Sequence, residues 1–191
     1  MATSEEECRR MIDTCMYNQV RLMIAYRLHF EAANLEAVGL ATSGELGDVR
    51  AYDAAFTMQV RENNIRVQAD LVGGPLEDIG IYCINAARYI FEDEPTEVFA
   101  MNSTDDSDER FKEVPEMWTV SMRFLKDRLA TFTCSFAAAT TSHYEVVGTK
   151  GSLRLYNAYE YKLPMEMILT VGDKKSKKKF EKKDQFGAEV F

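Results

Sequence analysis

Apolar residues recur with two different spacings along this chain, and the change between them divides it into two parts. Before residue 92, apolar positions three and four residues apart mark several segments, as in helices that pack by one face. From Glu97 onward apolar and polar residues alternate, as in half-buried strands. Short turns rather than helices separate these strands, which indicates antiparallel pairing. We therefore predict an α+β fold, an open and mainly antiparallel sheet with helices on one face.

The first predicted helix begins after Ser4, which together with Glu7 has the S-x-x-E spacing of a capping box. Asn18 ends the helix, and the apolar run Val20–Tyr26 that follows is typical of a buried strand. A helix followed by a buried strand is the terminal unit of a parallel α/β sheet. We expect residues 1–26 to be the last helix and strand of a domain whose remainder is absent from this sequence. The apolar stripe of the helix consists of Cys8, Met11, Ile12 and Cys15.

A second helix is predicted over Glu31–Thr42, with Leu35 and Val38 facing inward. Gly44 lies just past its end, where glycine commonly closes a helix. Val49–Val60 then has the imperfect alternation of a long strand.

The clearest helix opens at Gly73-Gly74-Pro75, after a polar loop over 61–71. Proline suits the first helical position because its missing N–H would have no partner there. The apolar stripe of this helix consists of Leu76, Ile79, Cys83 and Ala87.

Six later segments are predicted strands: Thr96–Met101, Met117–Leu125, Arg128–Phe136, Tyr144–Val147, Ser152–Tyr156 and Glu166–Val171. Lys126-Asp127 has the length of a two-residue hairpin loop. The acidic run Asp105–Glu109 lacks the spacing of a calcium loop and is interpreted as a solvated loop. The lysine-rich run Lys174–Lys183 is either a steering surface for an anionic partner or an exposed hairpin flank. We favour the hairpin flank.

Composition narrows the function further. The 191 residues carry a net charge of −8, which disfavours nucleic-acid binding, and the apolar runs are too short to span a membrane. The N-terminus has no signal-peptide pattern. The four cysteines form no C-x-x-C pair and only two histidines are present, so we predict reduced thiols, no metal site and a cytoplasmic location.

The chemistry-bearing residues fall into two groups. Asp78 and Tyr82 are four residues apart on the clearest helix, where a carboxylate and a phenol on one face can hold a substrate hydroxyl and move its proton. The alternative is that Asp78 only complements the helix dipole and Tyr82 only packs. Ligands of α/β sheets bind beyond strand ends, so we also expect substrate contacts after the first predicted strand. These candidates are Tyr26, Arg27 and His29, and Arg66 is a weaker candidate of the same kind.

The chain resembles the family of glucose–fructose oxidoreductase, inositol dehydrogenase and MocA-like NAD(P)-dependent sugar oxidoreductases. The Asp78–Tyr82 segment is the most specific, and it is similar to the glucose–fructose oxidoreductase branch, in which tyrosine replaces the histidine of D-x-x-x-H. Val72 departs from this branch, which often has glycine there. The matching stretches, in family order, are Leu22–His29, Asn34–Arg50, Asn64–Tyr89, Glu94–Ala100 and Gly148–Leu153.

The resemblance implies an N-terminal Rossmann domain before a large antiparallel sheet whose bare face forms a homo-oligomer, a dimer or a tetramer. It implies that Tyr82 is the proton donor or acceptor, that Asp78 orients a sugar or polyol, and that Arg27 lines the pocket. Residues 1–26 would then end the Rossmann domain, and 27–191 would form the substrate-binding and oligomerisation domain, cut short in a helix starting at Phe186–Phe191.

Neither the G-x-G-x-x-G fingerprint nor the family's E-K-P motif with its lysine occurs in this sequence. We therefore expect NADP or NAD in the intact enzyme, but no cofactor bound to this fragment and no activity from it alone. Two alternatives stay open. One is a non-catalytic binding or assembly module with the same fold, and the other is an α+β enzyme that uses Asp78 and Tyr82 without nicotinamide.

Overall fold

The computed structural model describes residues 2–187, which contain three α-helices and one eight-stranded sheet. The helices are α1 (Glu5–Tyr17), α2 (Ala32–Thr42) and α3 (Ile81–Phe91). The strands are β1 (Val49–Gln59), β2 (Glu97–Ser103), β3 (Met117–Phe124), β4 (Arg128–Ser135), β5 (Ala137–Gly148), β6 (Gly151–Tyr156), β7 (Met165–Val171) and β8 (Lys174–Phe180).

The sheet has the order β2-β3-β4-β1-β5-β6-β7-β8. Within it, β1 and β4 run parallel and the other neighbours run antiparallel. The chain therefore crosses over between β1 and β4, and α3 with the hairpin β2–β3 lies in that crossover. The predicted open, mainly antiparallel α+β fold is confirmed.

Alternation along the strands decides which face the helices cover. In β1 the side chains of Tyr52, Ala54 and Phe56 are buried, and their β4 partners Ala130, Phe132 and Cys134 are buried with them. Residues at the intervening positions form the opposite face, which we call the bare face because the helices do not pack on it. Its central positions are Asp53, Thr119, Thr131, Thr133, Thr141, His143, Glu145 and Arg154.

The N-terminal segment forms its helix but not its strand. The Ser4 side chain accepts a hydrogen bond from the Glu7 N–H at 3.2 Å, and Asn18 follows the last turn, so both predicted ends of α1 are confirmed. The predicted buried strand over Val20–Tyr26 is wrong for the described structure, because no strand within residues 2–187 pairs with it. Val20 and Met23 are 57% and 58% exposed.

Helix α2 confirms its predicted boundaries but packs by different residues. The Glu31 side chain caps it by accepting hydrogen bonds from the N–H groups of Ala33 and Asn34 at 2.8 and 2.9 Å. Gly44 has φ +82°, the left-handed conformation expected past a helix end. Leu35 is 54% exposed, so its predicted inward orientation is wrong. The buried face consists of smaller residues that let the helix lie close to the sheet, namely Ala33, Asn34, Ala37 and Ala41.

Three predictions in the sheet need correction. β5 starts well before the predicted Tyr144 because its first half, rich in alanine and threonine, has no apolar alternation. β8 was not among the predicted strands, since its lysines hide the period, but as an exposed edge strand it confirms the lysine run as a hairpin flank. The β3–β4 loop has three residues, Leu125–Asp127, rather than two. Most of the helix predicted over Phe186–Phe191 lies outside the described residues.

The four cysteines form no disulfide with one another in the structure. Cys83 and Cys134 are fully buried and act as small apolar core residues, as predicted. Burial raises the pKa of the Cys134 thiol to about 12, which keeps it protonated at neutral pH.

Candidate active site

Two glycines fold the loop before α3 back onto itself. The N–H groups of Gly73 and Gly74 donate to the carbonyls of Gln68 and Arg66 at 2.9 and 2.8 Å. A Cβ on Gly73 would lie only 2.6 Å from the Arg66 carbonyl oxygen, and Gly74 has φ +133°. Only glycine permits this approach. It brings Arg66 beside the start of the next helix.

That helix begins as one π-turn, Leu76–Gly80, and continues as α3. The predicted start at Pro75 is confirmed, but the expected α-helical spacing between Asp78 and Tyr82 is not, because Asp78 lies in the π-turn. Single π-turns inside helices are frequent at functional sites. Here the Asp78 side chain is directed to Arg66, whereas the Tyr82 ring packs against Arg27.

The Arg66–Asp78 contact is an ion pair with 2.5 Å between Nε and Oδ2. The Asn64 side chain accepts from the Arg66 N–H at 3.0 Å and so fixes the turn that carries the arginine. Both charged side chains stay partly exposed. The carboxylate is therefore oriented and still reachable, as an orienting role requires.

The Tyr82 ring lies between an arginine and two core aromatic rings. The Arg27 guanidinium carbon is 5.1 Å from its centroid, and the rings of Phe56 and Tyr159 are 6.0 and 6.5 Å away. Within residues 2–187, no side chain or backbone group bonds the Tyr82 hydroxyl. The phenol is thus held by its ring while its oxygen is free for a ligand.

Arg27 is buried, and its donors are used inside the protein. Nη2 donates to the Tyr159 carbonyl at 2.6 Å, and Nη1 donates to the Gln185 side chain. The guanidinium also stacks near Tyr161. The structure therefore places Arg27 beside Tyr82 and engages its donors with protein groups.

His29 occupies a different wall of the site. Its Nε2 lies 2.6 Å from Asn85 Nδ2, its Nδ1 lies 2.5 Å from the Tyr89 hydroxyl, and its ring stacks on Tyr26 at 5.5 Å. Burial lowers the pKa of His29, and the positive charge of Arg88 lowers it further. His29 is neutral at pH 7 for that reason.

A cavity of about 680 Å³ opens between α2 and α3, with Tyr82 and His29 both on its wall. This volume is within the range of small-molecule sites, roughly 300–1,000 Å³. Sequence reasoning missed several polar residues of the lining. The α-helical spacing from Tyr82 points to two of them, since Asn85 and Tyr89 follow it by three and seven positions. The missed residues are Asn34, Asn85, Arg88, Tyr89, Glu92, Asp93, Glu94 and Tyr144.

Comparison with known families decides the identity of the fold. The model of the GFO/IDH/MocA C-terminal domain matches residues 35–154. The chain belongs to the GFO/IDH/MocA family. The matched range runs from α2 into β6 and includes the whole Arg66–Tyr82 segment, so the most specific part of the resemblance is inside the family domain, whereas Leu22–His29 is outside it.

Two curated relatives of this GFO/IDH/MocA chain are dehydrogenases. The NADP(+)-dependent D-xylose 1-dehydrogenase of Haloarcula marismortui is 31% identical over 83% of the chain and 46% of its own length. The trans-1,2-dihydrobenzene-1,2-diol dehydrogenase of Danio rerio is 32% identical over 81% of the chain and 45% of its own. The chain therefore spans about half the length of the curated relatives it matches.

Solved structures show the same GFO/IDH/MocA architecture. Aldose-aldose oxidoreductase from Caulobacter crescentus, complexed with glycerol, superposes with a TM-score of 0.90 at 33% identity, over 97% of this chain and 56% of that one. A 3-ketoreductase from Actinomadura kijaniata, in complex with NADP and TDP-benzene, gives 0.85 at 21% identity over 99% and 58%. The second likeness extends to the fold alone.

None of the helices within 2–187 has the length and apolar character needed to cross a bilayer. In the same part of the chain no three His, Cys, Asp or Glu side chains are grouped as metal ligands.

Proposed function

We propose that this chain is the substrate-binding and oligomerisation portion of an NADP- or NAD-dependent sugar or polyol oxidoreductase. The observation that carries the proposal is the Tyr82 phenol, which lines the cavity with its oxygen unbonded among the described residues. Asp78, whose carboxylate is oriented by Arg66, lies four positions before Tyr82 on the same helix and outside that lining. The family membership and the dehydrogenase relatives support the same reaction class.

In this proposal each residue has a defined task. Tyr82 exchanges a proton with the substrate oxygen as a general acid or base. Asp78, held by Arg66, accepts a hydrogen bond from a neighbouring substrate hydroxyl and orients the sugar. Arg27 holds the Tyr82 ring in place. The nicotinamide, when bound, supplies or accepts the hydride.

The residues of this chain do not fit the phosphates of a dinucleotide. The ten glycines nowhere form the G-x-G-x-x-G loop that lets a backbone approach a pyrophosphate. We therefore propose that a Rossmann domain outside this sequence holds the nucleotide. Residues 1–26 would be the end of that domain, which would supply the strand partner that Val20–Tyr26 does not find within residues 2–187. The exposed apolar side chains of this segment support the proposal, since a neighbouring domain would cover them. They include Met11, Ile12, Met16, Val20 and Met23.

The proposed homo-oligomer, a dimer or a tetramer, uses the bare face. The helices leave this face uncovered, and threonines such as Thr119, Thr131 and Thr133 give its centre short side chains. A bulky charge at its centre should prevent two copies from meeting. We expect light scattering to give an oligomer for the native protein and a smaller species for Thr133→Arg, while an unchanged mass would contradict the role of this face.

Nicotinamide-dependent oxidation of aldoses by the full-length protein tests the enzymatic function. Tyr82→Phe is expected to lower kcat by roughly 10²–10⁴-fold, the usual contribution of a general acid or base. Tyr161→Phe is the matched control, because it also removes a phenol near Arg27 but does not line the cavity. Full turnover by Tyr82→Phe would contradict the role of Tyr82. Sugar binding without any turnover would favour the non-catalytic module.

A further inference from the structure

The contacts of His29 determine the direction in which Tyr89 donates its hydroxyl proton. An amide nitrogen donates hydrogen bonds and does not accept them, so the Asn85 Nδ2 group requires an unprotonated Nε2 on His29. A neutral imidazole then carries its proton on Nδ1, which donates to the Tyr89 oxygen 2.5 Å away. The hydroxyl proton of Tyr89 is left free and directed away from His29.

We propose that Tyr89 is a specificity-determining hydrogen-bond donor to the ligand of the α2–α3 cavity, and that His29 and Asn85 are positioning residues that fix its direction. The inference rests on the proposed function, since Tyr82 lines the same cavity. It also changes the role expected for His29. Both of its ring nitrogens are occupied by protein groups, so it acts on the ligand through Tyr89 rather than by contact.

Burial fixes the Asn85 end of the Asn85–His29–Tyr89 group and leaves the Tyr89 end accessible. Asn85 is 7% exposed, so its amide has little freedom to turn toward water. Tyr89 is 42% exposed, so its hydroxyl can reach a ligand. The centroids of the His29 and Tyr89 rings are only 3.8 Å apart, so the two side chains pack directly against each other.

The charges around the cavity define the ligand class. Its lining includes three carboxylates, Glu92, Asp93 and Glu94, against one guanidinium, Arg88. Arg88 binds Glu94 through Nε at 2.7 Å, and Arg128, outside the lining, binds Asp93 at 2.7 Å, so Glu92 is left as the carboxylate without an ion pair among the described residues. An anionic ligand would therefore meet repulsion, whereas a neutral ligand with hydroxyl or carbonyl oxygens could accept from Tyr89. We assign the site to unphosphorylated, uncharged sugars or polyols.

The tautomer of His29 tests the positioning step directly, without any turnover. With His29 and His143 as its two histidines, the ¹⁵N-labelled chain gives two imidazole patterns in long-range ¹H–¹⁵N spectra, and His143→Gln assigns them. We expect His29 to be protonated on Nδ1. Protonation on Nε2 in the native protein would overturn the proposal.

Asn85→Asp supplies the complementary variant. A carboxylate accepts hydrogen bonds, so Nε2 of His29 should become protonated. In a neutral imidazole Nδ1 then carries no proton, and the Tyr89 hydroxyl should turn its proton toward Nδ1. Asn102→Asp in exposed β2 is the matched control and should leave the His29 pattern unchanged. An unchanged pattern in a folded Asn85→Asp would contradict the positioning role.

Ligand specificity is tested in the full-length protein with D-xylose and its anionic counterpart D-xylonate. Tyr89→Phe removes one hydrogen bond, so we expect the KM for D-xylose to rise roughly 2- to 10-fold with a smaller change in kcat. Tyr161→Phe is again the control. An unchanged KM, or D-xylonate bound as tightly as D-xylose, would overturn the proposal.

A failure of the proposed function can be distinguished from a failure of the role given to Tyr89. If Tyr82→Phe keeps full turnover or no turnover is found, calorimetric binding of D-xylose still reports on Tyr89. Loss of binding in Tyr89→Phe would then support the inference alone, and equal binding would contradict it.

Discussion

Arg66 Nε lies 2.5 Å from Asp78 Oδ2, although twelve positions separate the two residues along the chain. The contact exists because Gly73 and Gly74 pack against the carbonyls of the Arg66 turn. The side chains of Arg66 and Asp78 are 42% and 34% exposed, so solvent screening limits the ion pair to about 1 kcal/mol or less of stability. Its main consequence is therefore orientation of the carboxylate.

Asp78→Asn should show whether the Arg66–Asp78 ion pair mainly orients the carboxylate or mainly stabilises the fold. We expect the free energy of unfolding to change by less than about 1 kcal/mol. In the full-length protein kcat/KM for a sugar should fall roughly 10- to 100-fold, the loss typical of a hydrogen bond to a charged group. Denaturant titration and steady-state kinetics measure the two effects. Asp127→Asn, which weakens the exposed Arg123–Asp127 pair and changes no residue of the cavity lining, is the control and should retain activity.

Gly73→Ala should destabilise the chain, because the new Cβ would lie 2.6 Å from the Arg66 carbonyl oxygen. Relief of that overlap must displace the loop, at about 1–3 kcal/mol. Gly39→Ala is the matched control within α2, where an added Cβ has no neighbour within 4 Å. There we expect a gain of about 0.5–1 kcal/mol, since alanine favours the helix. Chemical denaturation that gives equal changes for the two variants would contradict this reasoning.

The spacing of apolar residues predicted elements that bury one face of their own, and it failed for elements that depend on partners distant in the sequence. The α3 stripe was predictable because Cys83 and Ala87 recur at helical spacing on one buried face. The segment Val20–Tyr26 was mispredicted because its composition fits a buried strand, whereas pairing needs a neighbour that residues 2–187 do not provide. β8 was missed as a strand for the opposite reason, since it pairs by backbone while its side chains are mostly lysines.

In the candidate site, too, local spacing was predictable and contacts between distant residues were not. The Asp78–Tyr82 spacing was visible in the sequence, but the π-turn that contains Asp78 was not. Its Gly80 lies close beside Phe132 and Cys134, more than fifty positions along the chain. The Asn85–His29 bond joins residues that are 56 positions apart, and no local pattern encodes such a contact.

Val72→Gly should leave stability unchanged or raise it by up to about 1 kcal/mol. Val72 has φ +58° and ψ +37°, a left-handed conformation that strains a β-branched side chain by about 1–3 kcal/mol. Glycine removes the strain but loses about 0.5–1 kcal/mol through the greater freedom of the unfolded chain. Valine here is 47% exposed and contributes little burial. The control Val98→Gly, in exposed β2, relieves no such strain and should destabilise; a larger loss at Val72 would disprove the strain.

Stability should decrease as the pH falls below about 6.5, through the titration of two histidines. Burial, and then Arg88, lowers the pKa of folded His29, while burial and Arg154 lower that of His143 against Asp53 and Glu145. The unfolded chain therefore binds protons first. Stability is full above the unfolded pKa and is lost as the pH falls from there through the folded pKa values.

Denaturant titrations between about pH 7.5 and pH 5 measure this loss, and the carboxylates are largely ionised over most of that range. His29→Gln and His143→Gln should each flatten the profile, and the double variant should flatten it most. A profile that keeps its slope in the double variant would place the pH dependence in other groups.

The hydroxyls of Tyr52 and Tyr159 lie 2.6 Å apart in the core, each residue about 1% exposed. Burial raises the pKa of both phenols, so both stay protonated and one donates to the other. Tyr52→Phe leaves the Tyr159 hydroxyl without this partner and should cost about 1–3 kcal/mol.

Adding Tyr159→Phe should cost less than its own single change, with a coupling of about 0.5–3 kcal/mol in the double-mutant cycle. Tyr144→Phe is the matched control, because its hydroxyl donates to Asn34 instead. A cycle in which Tyr52 couples no more strongly to Tyr159 than to Tyr144 would contradict a direct hydrogen bond between the two hydroxyls.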